Sequence, residues 1–259
     1  MSKRQATASQ NADVLAAYEA MAGDFEAVDP REQYSYMTSK MFSDYALMER
    51  VGMDGKFVLN VGCSFPIDEI YYARKIVRWI AVDISERSLD AAERILKREL
   101  HPDLAGKIGF QYADAGALPF DDDTFDVTVS MSTIDHLPTV EARQKAVDEM
   151  ARTTRRGGWV IVTVPNWWCL PYALGTWKMM RDKILHYGFA HFFSPIEIRR
   201  IGRNAGLEPV HFASSVAPPD VSPSGYPAYV RYPAWAVFAL MRRAGYFGRR
   251  VGYAFRKPE

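Results

Sequence analysis

The amino-acid sequence predicts an alternating α/β fold, a mostly parallel sheet with helices on both faces. Three observations predict it. Short, strongly apolar runs recur down the chain at lengths suited to buried strands. Segments with helical spacing fall between them, as crossover connections require. Gly, Asp or Pro closes most of the runs, where the chain must turn.

The first dozen residues are small and polar and are expected to fray. Val14, Leu15, Tyr18, Met21 and Phe25 then share one helical face, and Asp29-Pro30 stops the helix. Residues 57–61 form the first strand, ending at Gly62, and 68–75 a helix. Residues 79–82 form the second strand, ending at Asp83; Ser85 or Ser88 caps the helix that continues through Leu96. The third strand is 108–112, closed by Ala113-Asp114, and the fourth is 125–131. A helix over 140–153 ends at Gly157-Gly158, and a fifth strand over 159–164 stops at Pro165. Beyond it the rhythm loosens: a helix over 172–185, a helix over 195–205, a strand over 209–212, a loop over 220–227, a helix over 235–243 and a final strand over 250–255.

The chain has 259 residues, 48% hydrophobic, which is ample for a packed core. Its formal net charge of +1 supplies no global field for nucleic acid, and none is expected as a partner. Cys63 and Cys169 lie far apart and outside metal-ligand spacing, so neither a disulfide framework nor a metal site is expected. No apolar run is long enough to span a bilayer, and the N-terminus lacks the apolar core of a signal peptide. A cytoplasmic protein is the expectation.

Ligands in open α/β sheets bind beyond the carboxyl ends of the strands, so the residues after each strand carry the functional reading. Gly62 permits close backbone approach after the first strand, followed by Cys63, Ser64, Phe65 and Pro66. Asp83 follows the second strand and is suited to a pair of ribose hydroxyls. Asp114 follows the third and is suited to an exocyclic amine such as that of adenine. Ser130, Met131, Ser132 and Thr133 border the same crevice after the fourth. The alternative for both acids is that they cap local turns.

In this order the motifs resemble those of the class I S-adenosylmethionine-dependent methyltransferases, in particular the small-molecule branch. Val58-Leu59-Asn60-Val61-Gly62-Cys63 is similar to the family's first motif, and Ile80-Ala81-Val82-Asp83-Ile84-Ser85 to the second. Ala113-Asp114-Ala115 with Leu118-Pro119-Phe120 and Phe125-Asp126-Val127 is similar to the third and fourth. Asp135-His136-Leu137-Pro138, Arg155-Arg156-Gly157-Gly158 and His191-Phe192-Phe193-Ser194-Pro195 also resemble family segments. The resemblance implies a doubly wound, Rossmann-like sheet of seven strands with the last antiparallel, and S-adenosyl-L-methionine as cofactor. It implies one domain over 1–259, with a helical cap over 1–50, a cofactor-binding core over 56–166 and substrate-lid insertions over 167–193 and 217–247.

The cofactor contacts it implies are Tyr18, Asn60, Gly62, Cys63, Ser64, Asp83, Ile84, Asp114, Ala115 and Met131. Tyr18 and Phe25 sit on a helix that in this family often closes over the cofactor. The chain departs from the first motif, where Asn60 replaces the usual acid, Ser64 the second glycine and Pro66 the third. Asn60 offers an amide but no charge to balance an ammonium. Pro66 removes a donor that a dinucleotide phosphate loop needs, which counts against a nicotinamide-dependent oxidoreductase. A non-catalytic cofactor-binding or partner-binding protein is the alternative that Asn60 and Ser64 motivate.

A methyl group on a sulfonium is already activated, so the protein mainly aligns the acceptor. His136 is the candidate base, with Asp135 to orient it or bind substrate; a histidine that braces the turn is the alternative. Asn166, Trp167, Trp168 and His191 are candidate substrate contacts; the alternatives are a turn-forming asparagine after Pro165, a histidine hydrogen-bonded to backbone, and aromatics that bury one another. With Tyr172, Trp177, Tyr187 and Phe189, the two tryptophans form an aromatic segment suited to an apolar or planar small-molecule acceptor, such as a lipid, quinone, glycan precursor or secondary metabolite. The basic tail, with Arg231, Arg242, Arg243, Arg249, Arg250, Arg256 and Lys257, suggests peripheral contact with the inner face of a membrane; a solvated helix face is the alternative.

Overall fold

The computed structural model describes residues 14–22, 43–182, 189–215 and 245–259. Its centre is a seven-stranded sheet. The strands are β1 (Phe57–Val61), β2 (Arg78–Asp83), β3 (Ile108–Tyr112), β4 (Phe125–Met131), β5 (Thr154–Pro165), β6 (Glu208–Ser214) and β7 (Arg250–Arg256). Their order is β3-β2-β1-β4-β5-β7-β6. β1 to β5 run parallel, and β7 lies antiparallel between β5 and β6. This is the doubly wound, seven-stranded arrangement with an antiparallel last strand that the sequence motifs imply.

The described helices are α1 (residues 14–22), α2 (Asp44–Val51), α3 (Ile67–Tyr72), α4 (Glu86–Glu99), α5 (Pro102–Ala105), α6 (Val140–Thr153), α7 (Leu170–Arg181) and α8 (Pro195–Asn204). Consecutive strand residues point to opposite faces, which splits the core in two. Val58, Val127 and Ile161 pack with Leu47, Met48, Tyr72 and Trp79 on one side. Leu59, Val61, Val160 and Val162 pack with Val147, Met150, Ile198 and Phe255 on the other. β1, β4 and the second half of β5 are buried on both faces and so are largely apolar, which is why they stand out in the sequence.

Several boundaries differ from expectation for identifiable reasons. Gly157-Gly158 does not end a helix. α6 stops at Thr153 and β5 begins at Thr154, with a register shift against β4 between Phe125 and Val127. Gly157 has φ +64°, and a Cβ on Gly158 would meet the Asp126 carbonyl oxygen at 2.8 Å, so the pair makes the strand's irregularity possible. Ser85, not Ser88, caps α4; its hydroxyl accepts from the Ser88 N–H at 3.1 Å. α2 and α5 are additional helices. The expected helix over 235–243, the loop over 220–227, Phe25 and Asp29-Pro30 lie outside the described residues, as does most of the 217–247 insertion.

Candidate active site

Strand order reverses between β1 and β4, so their carboxyl ends open the crevice in which this architecture places ligands. The turn after β1 is tightly built. Gly62 has φ +80°, and a Cβ there would fall inside the Thr133 side chain, whose hydroxyl donates to the Gly62 carbonyl at 3.1 Å. The Gly62 and Cys63 N–H groups both donate to the Val82 carbonyl, at 2.8 and 3.1 Å. Ser64 has φ +45°. It stands where the family carries a second glycine, and it keeps the left-handed conformation a glycine would adopt. Ser132, just past β4, is also left-handed at φ +58°. Backbone strain of this kind concentrates where a site over-determines the chain.

Asp83 fastens this turn to β2. Its Oδ2 accepts from the Ser64 N–H and its Oδ1 from the Ser85 N–H, both at 3.0 Å. Burial raises the carboxyl above its ordinary value, and the backbone donors only partly oppose that. Each oxygen retains a further lone pair for a hydroxyl donor. Ile84, half-exposed, offers an apolar face beside it. Asp114 is exposed, and its Oδ1 accepts from the Gly116 N–H at 2.8 Å, so the local turn holds one carboxylate oxygen. Ala115 follows, half-buried. Cys63 is buried, and burial with the nearby Asp83 and Glu69 carboxylates pushes its thiol well up, which makes it a packing residue and no nucleophile.

At β4, Met131 is buried and its sulfur accepts from the Thr163 hydroxyl at 3.3 Å. A 3-10 turn, Ile134–His136, then presents Asp135 and His136. Asp135 is 1% exposed, and burial raises its carboxyl; its Oδ1 has no hydrogen-bond partner among the described residues. His136 Nε2 lies 3.5 Å from Asp135 Oδ2, and its Nδ1 lies 2.7 Å from the Phe189 carbonyl. A carbonyl only accepts, so Nδ1 carries the proton and Nε2 of the neutral ring carries the lone pair. Tyr18 meets the His136 ring edge-on, with centroids 5.4 Å apart. α1 is held by Ser85, whose hydroxyl donates to Glu19 at 2.7 Å, so this helix links the β2 and β4 ends.

The structure therefore brings Tyr18, Asp135 and His136 together, and fastens Gly62, Cys63 and Ser64 to Asp83. It gives the other candidates different work. Asn166 is fully buried; its amide donates to the Tyr246 and Gly248 carbonyls at 2.8 and 2.7 Å and accepts from the Trp168 N–H at 3.1 Å. It braces the end of β5. His191 pairs with Glu197 at 2.9 Å at the start of α8. Trp168 packs against Tyr246 and Phe247, while Trp167 remains half-exposed.

Two features escaped the sequence reading. Asn60 donates through Nδ2 to Glu69 Oε1 at 2.7 Å, with both residues buried. Glu69 lies nine positions on, in the first turn of α3, where an acid so soon after a first motif was the available signal. Arg250 is buried at the start of β7 and donates to Asp44 at 3.0 Å, to Thr163 at 2.8 Å and to the Ser132 hydroxyl. Nothing local in the sequence announces this, because Asp44 and Arg250 are 206 residues apart.

Comparison with known proteins agrees with this geometry. A family model described as a methyltransferase domain matches residues 59–162. The chain is 31% identical over 170 residues to the ubiquinone biosynthesis O-methyltransferase of Thiobacillus denitrificans, covering 61% of this chain and 67% of that protein. The chain belongs to the class I S-adenosylmethionine-dependent methyltransferases. It is also 32% identical over 115 residues to the chloroplastic tocopherol O-methyltransferase of Arabidopsis thaliana, covering 44% of this chain and 30% of that one. The first curated relatives are matched over about half to two thirds of their own length, 45% and 64%. Among solved structures, the complex between the Haloferax volcanii Trm112 methyltransferase activator and the putative methyltransferase matches with a TM-score of 0.63 at 19% identity, over 93% of this chain and 98% of that one, and shows the shared fold.

S-adenosylmethionine is the cofactor of that family, and the residues present fit it. The buried Asn60 Oδ1 has no hydrogen-bond partner among the described residues, and Asp83 has lone pairs to spare. Asp83 would hold the ribose hydroxyls, Ile84 and Asp114 the adenine, and the Gly62–Ser64 turn the aminoacyl chain.

Proposed function

We propose that this methyltransferase transfers a methyl group to a hydroxyl of a small, largely apolar, aromatic acceptor, with His136 as the general base. The orientation of His136 carries the reading. The Phe189 carbonyl accepts from Nδ1 and fixes the tautomer, so Nε2 of the neutral ring carries the basic lone pair at the carboxyl end of β4. S-adenosylmethionine, when bound, supplies a methyl group already activated by its sulfonium. Nε2 accepts the hydroxyl proton as the oxygen becomes nucleophilic, and the buried Asp135 carboxylate beside it stabilises the imidazolium that results. Tyr18, on α1, shields the ring on the crevice side and helps exclude water.

The O-methyltransferases of ubiquinone and tocopherol biosynthesis among the relatives support an aromatic hydroxyl as the acceptor class. The half-exposed Trp167 and the Trp168–Tyr246–Phe247 cluster support an apolar wall for it. Such an acceptor suits a cytoplasmic enzyme working at the inner face of a membrane. The described cations of the tail are already engaged: Arg249 over Tyr172, Arg250 with Asp44, Arg256 over Trp159 and Lys257 with Asp123. The membrane contact therefore rests on Arg231, Arg242 and Arg243, which lie outside the described residues, and co-sedimentation with anionic liposomes at low salt tests it.

The decisive experiment incubates the protein with S-adenosylmethionine and a panel of quinols, catechols, fatty acids and sugar nucleotides, with mass spectrometry of the products. An O-methylated phenol, and a kcat lowered about 10²- to 10⁴-fold in His136→Ala, supports the proposal. Methylation on nitrogen or carbon, or full activity in His136→Ala, refutes it.

A further inference from the structure

The first motif of this chain lacks the acid its family carries, and the fold brings one back from elsewhere. Asn60 is 2% exposed and Glu69 is fully buried, with Asn60 Nδ2 donating to Glu69 Oε1 at 2.7 Å. An ionised carboxylate only accepts, so the amide nitrogen must face Glu69 and the amide oxygen must face away from it. That oxygen, Asn60 Oδ1, is buried and finds no hydrogen-bond donor among the described residues. Buried acceptors are rarely left without a donor, and a bound ligand is one source of it. Charge points in the same direction. Asp68, Glu69 and Asp83 are buried around the Gly62–Pro66 turn, and all three act on the Cys63 thiol. Carboxylates gathered in a low-dielectric place favour a cationic ligand group.

We propose that the Asn60–Glu69 pair recognises the ammonium of the cofactor's aminoacyl chain, with Asn60 Oδ1 as the direct acceptor and Glu69 as the source of charge. The inference rests on the cofactor reading above and assigns a residue to it. One acid in the usual position would be both acceptor and counter-ion. Here the two jobs are divided between a strand residue and a helix residue. Glu69 is a positioning residue that acts through the amide: it locks the flip that aims Oδ1 outward, and it supplies the negative field.

The test is calorimetric titration of the full chain with two ligands. S-adenosylhomocysteine carries the ammonium. 5′-Methylthioadenosine keeps the adenosine and thioether but lacks the aminoacyl chain. Glu69→Gln is expected to weaken S-adenosylhomocysteine about 10- to 100-fold and to leave methylthioadenosine within about twofold. The double variant Asn60→Asp with Glu69→Gln returns the charge to the strand and is expected to recover S-adenosylhomocysteine affinity to within about fivefold of wild type. Equal loss for both ligands in Glu69→Gln, with no recovery in the double variant, overturns the proposal and leaves Glu69 a support of the turn. Unchanged S-adenosylhomocysteine affinity in Glu69→Gln overturns it as well. If wild type binds neither ligand, the cofactor reading itself fails, and this proposal falls with it.

Discussion

Asp83→Asn separates ligand binding from folding in a way the structure makes quantitative. The ionised carboxylate accepts two backbone N–H groups at 3.0 Å, yet burial still raises it above its ordinary value. Those donors therefore do not fully offset the cost of burying the charge, and in the ligand-free protein the ionised form is not a net source of stability. Replacing it with an amide removes the charge and leaves one backbone donor facing an NH2. That lost hydrogen bond costs about 1 kcal/mol, and relief of the buried charge offsets a similar amount, so ligand-free stability should change by less than about 1 kcal/mol. Binding should respond differently. A ribose that loses a charged acceptor loses about 1.5–3 kcal/mol, or roughly 10- to 150-fold in Kd. Urea denaturation of the free protein and calorimetry with S-adenosylhomocysteine measure the two terms. Undiminished affinity would show that the ribose lies elsewhere. A stability loss of several kcal/mol would show that Asp83 serves mainly to hold the turn.

Gly62→Ala should cost more than Gly52→Ala although both glycines have similar positive φ, +80° and +77°. A Cβ at Gly52 meets nothing within 4 Å, whereas one at Gly62 collides with Thr133. Thermal unfolding should show about 1 kcal/mol of backbone strain for the first and a further 1–3 kcal/mol for the second, with cofactor binding lost only at Gly62; equal effects would refute the close approach. Arg250→Met removes the guanidinium partner of the fully buried Asp44, and should lower stability by about 3–5 kcal/mol, with Asp44→Asn in the same chain restoring part of it; a change under about 1 kcal/mol would contradict the buried pair. The Arg152 hydrogen bond holds the Glu149 carboxyl below its ordinary value of 4.5, burial notwithstanding. A lowered carboxyl stabilises the fold above its unfolded value and stops doing so as pH falls through its folded value. Glu149→Gln should therefore cost about 1 kcal/mol at pH 7 and progressively less below about pH 4; a pH-independent difference in urea midpoint would contradict the pairing.

How much of this was legible in the sequence follows from the range of the interactions. β1, β4 and the second half of β5 are buried on both faces and so read as apolar runs, and Asp83 reads as the residue that closes the apolar run of β2. The Ser85 cap is a contact three residues long, and it was visible as one of two serines. Gly157-Gly158 misleads because glycine serves helix ends and strand irregularities alike; the crowding at Gly158 comes from its own strand, through Thr154 and the Arg155 carbonyl, and from the Asp126 carbonyl that β4 brings alongside. Asn166 reads either as a ligand contact past a strand end or as a turn-forming residue after Pro165, and the Tyr246 and Gly248 carbonyls that engage its amide are 80 and 82 residues on. Asn60 looks like a missing charge for the same reason: the Glu69 carboxylate that its amide donates to comes within reach only once β1 and α3 are brought together.

The most direct test of the central claim is calorimetric titration of the purified protein with S-adenosylhomocysteine and, separately, with NADH. Binding of the sulfur nucleoside in the micromolar range, with none of NADH, is the result expected from the Asp83 clamp and the Gly62–Pro66 turn. Binding of NADH, or of neither ligand, would contradict it.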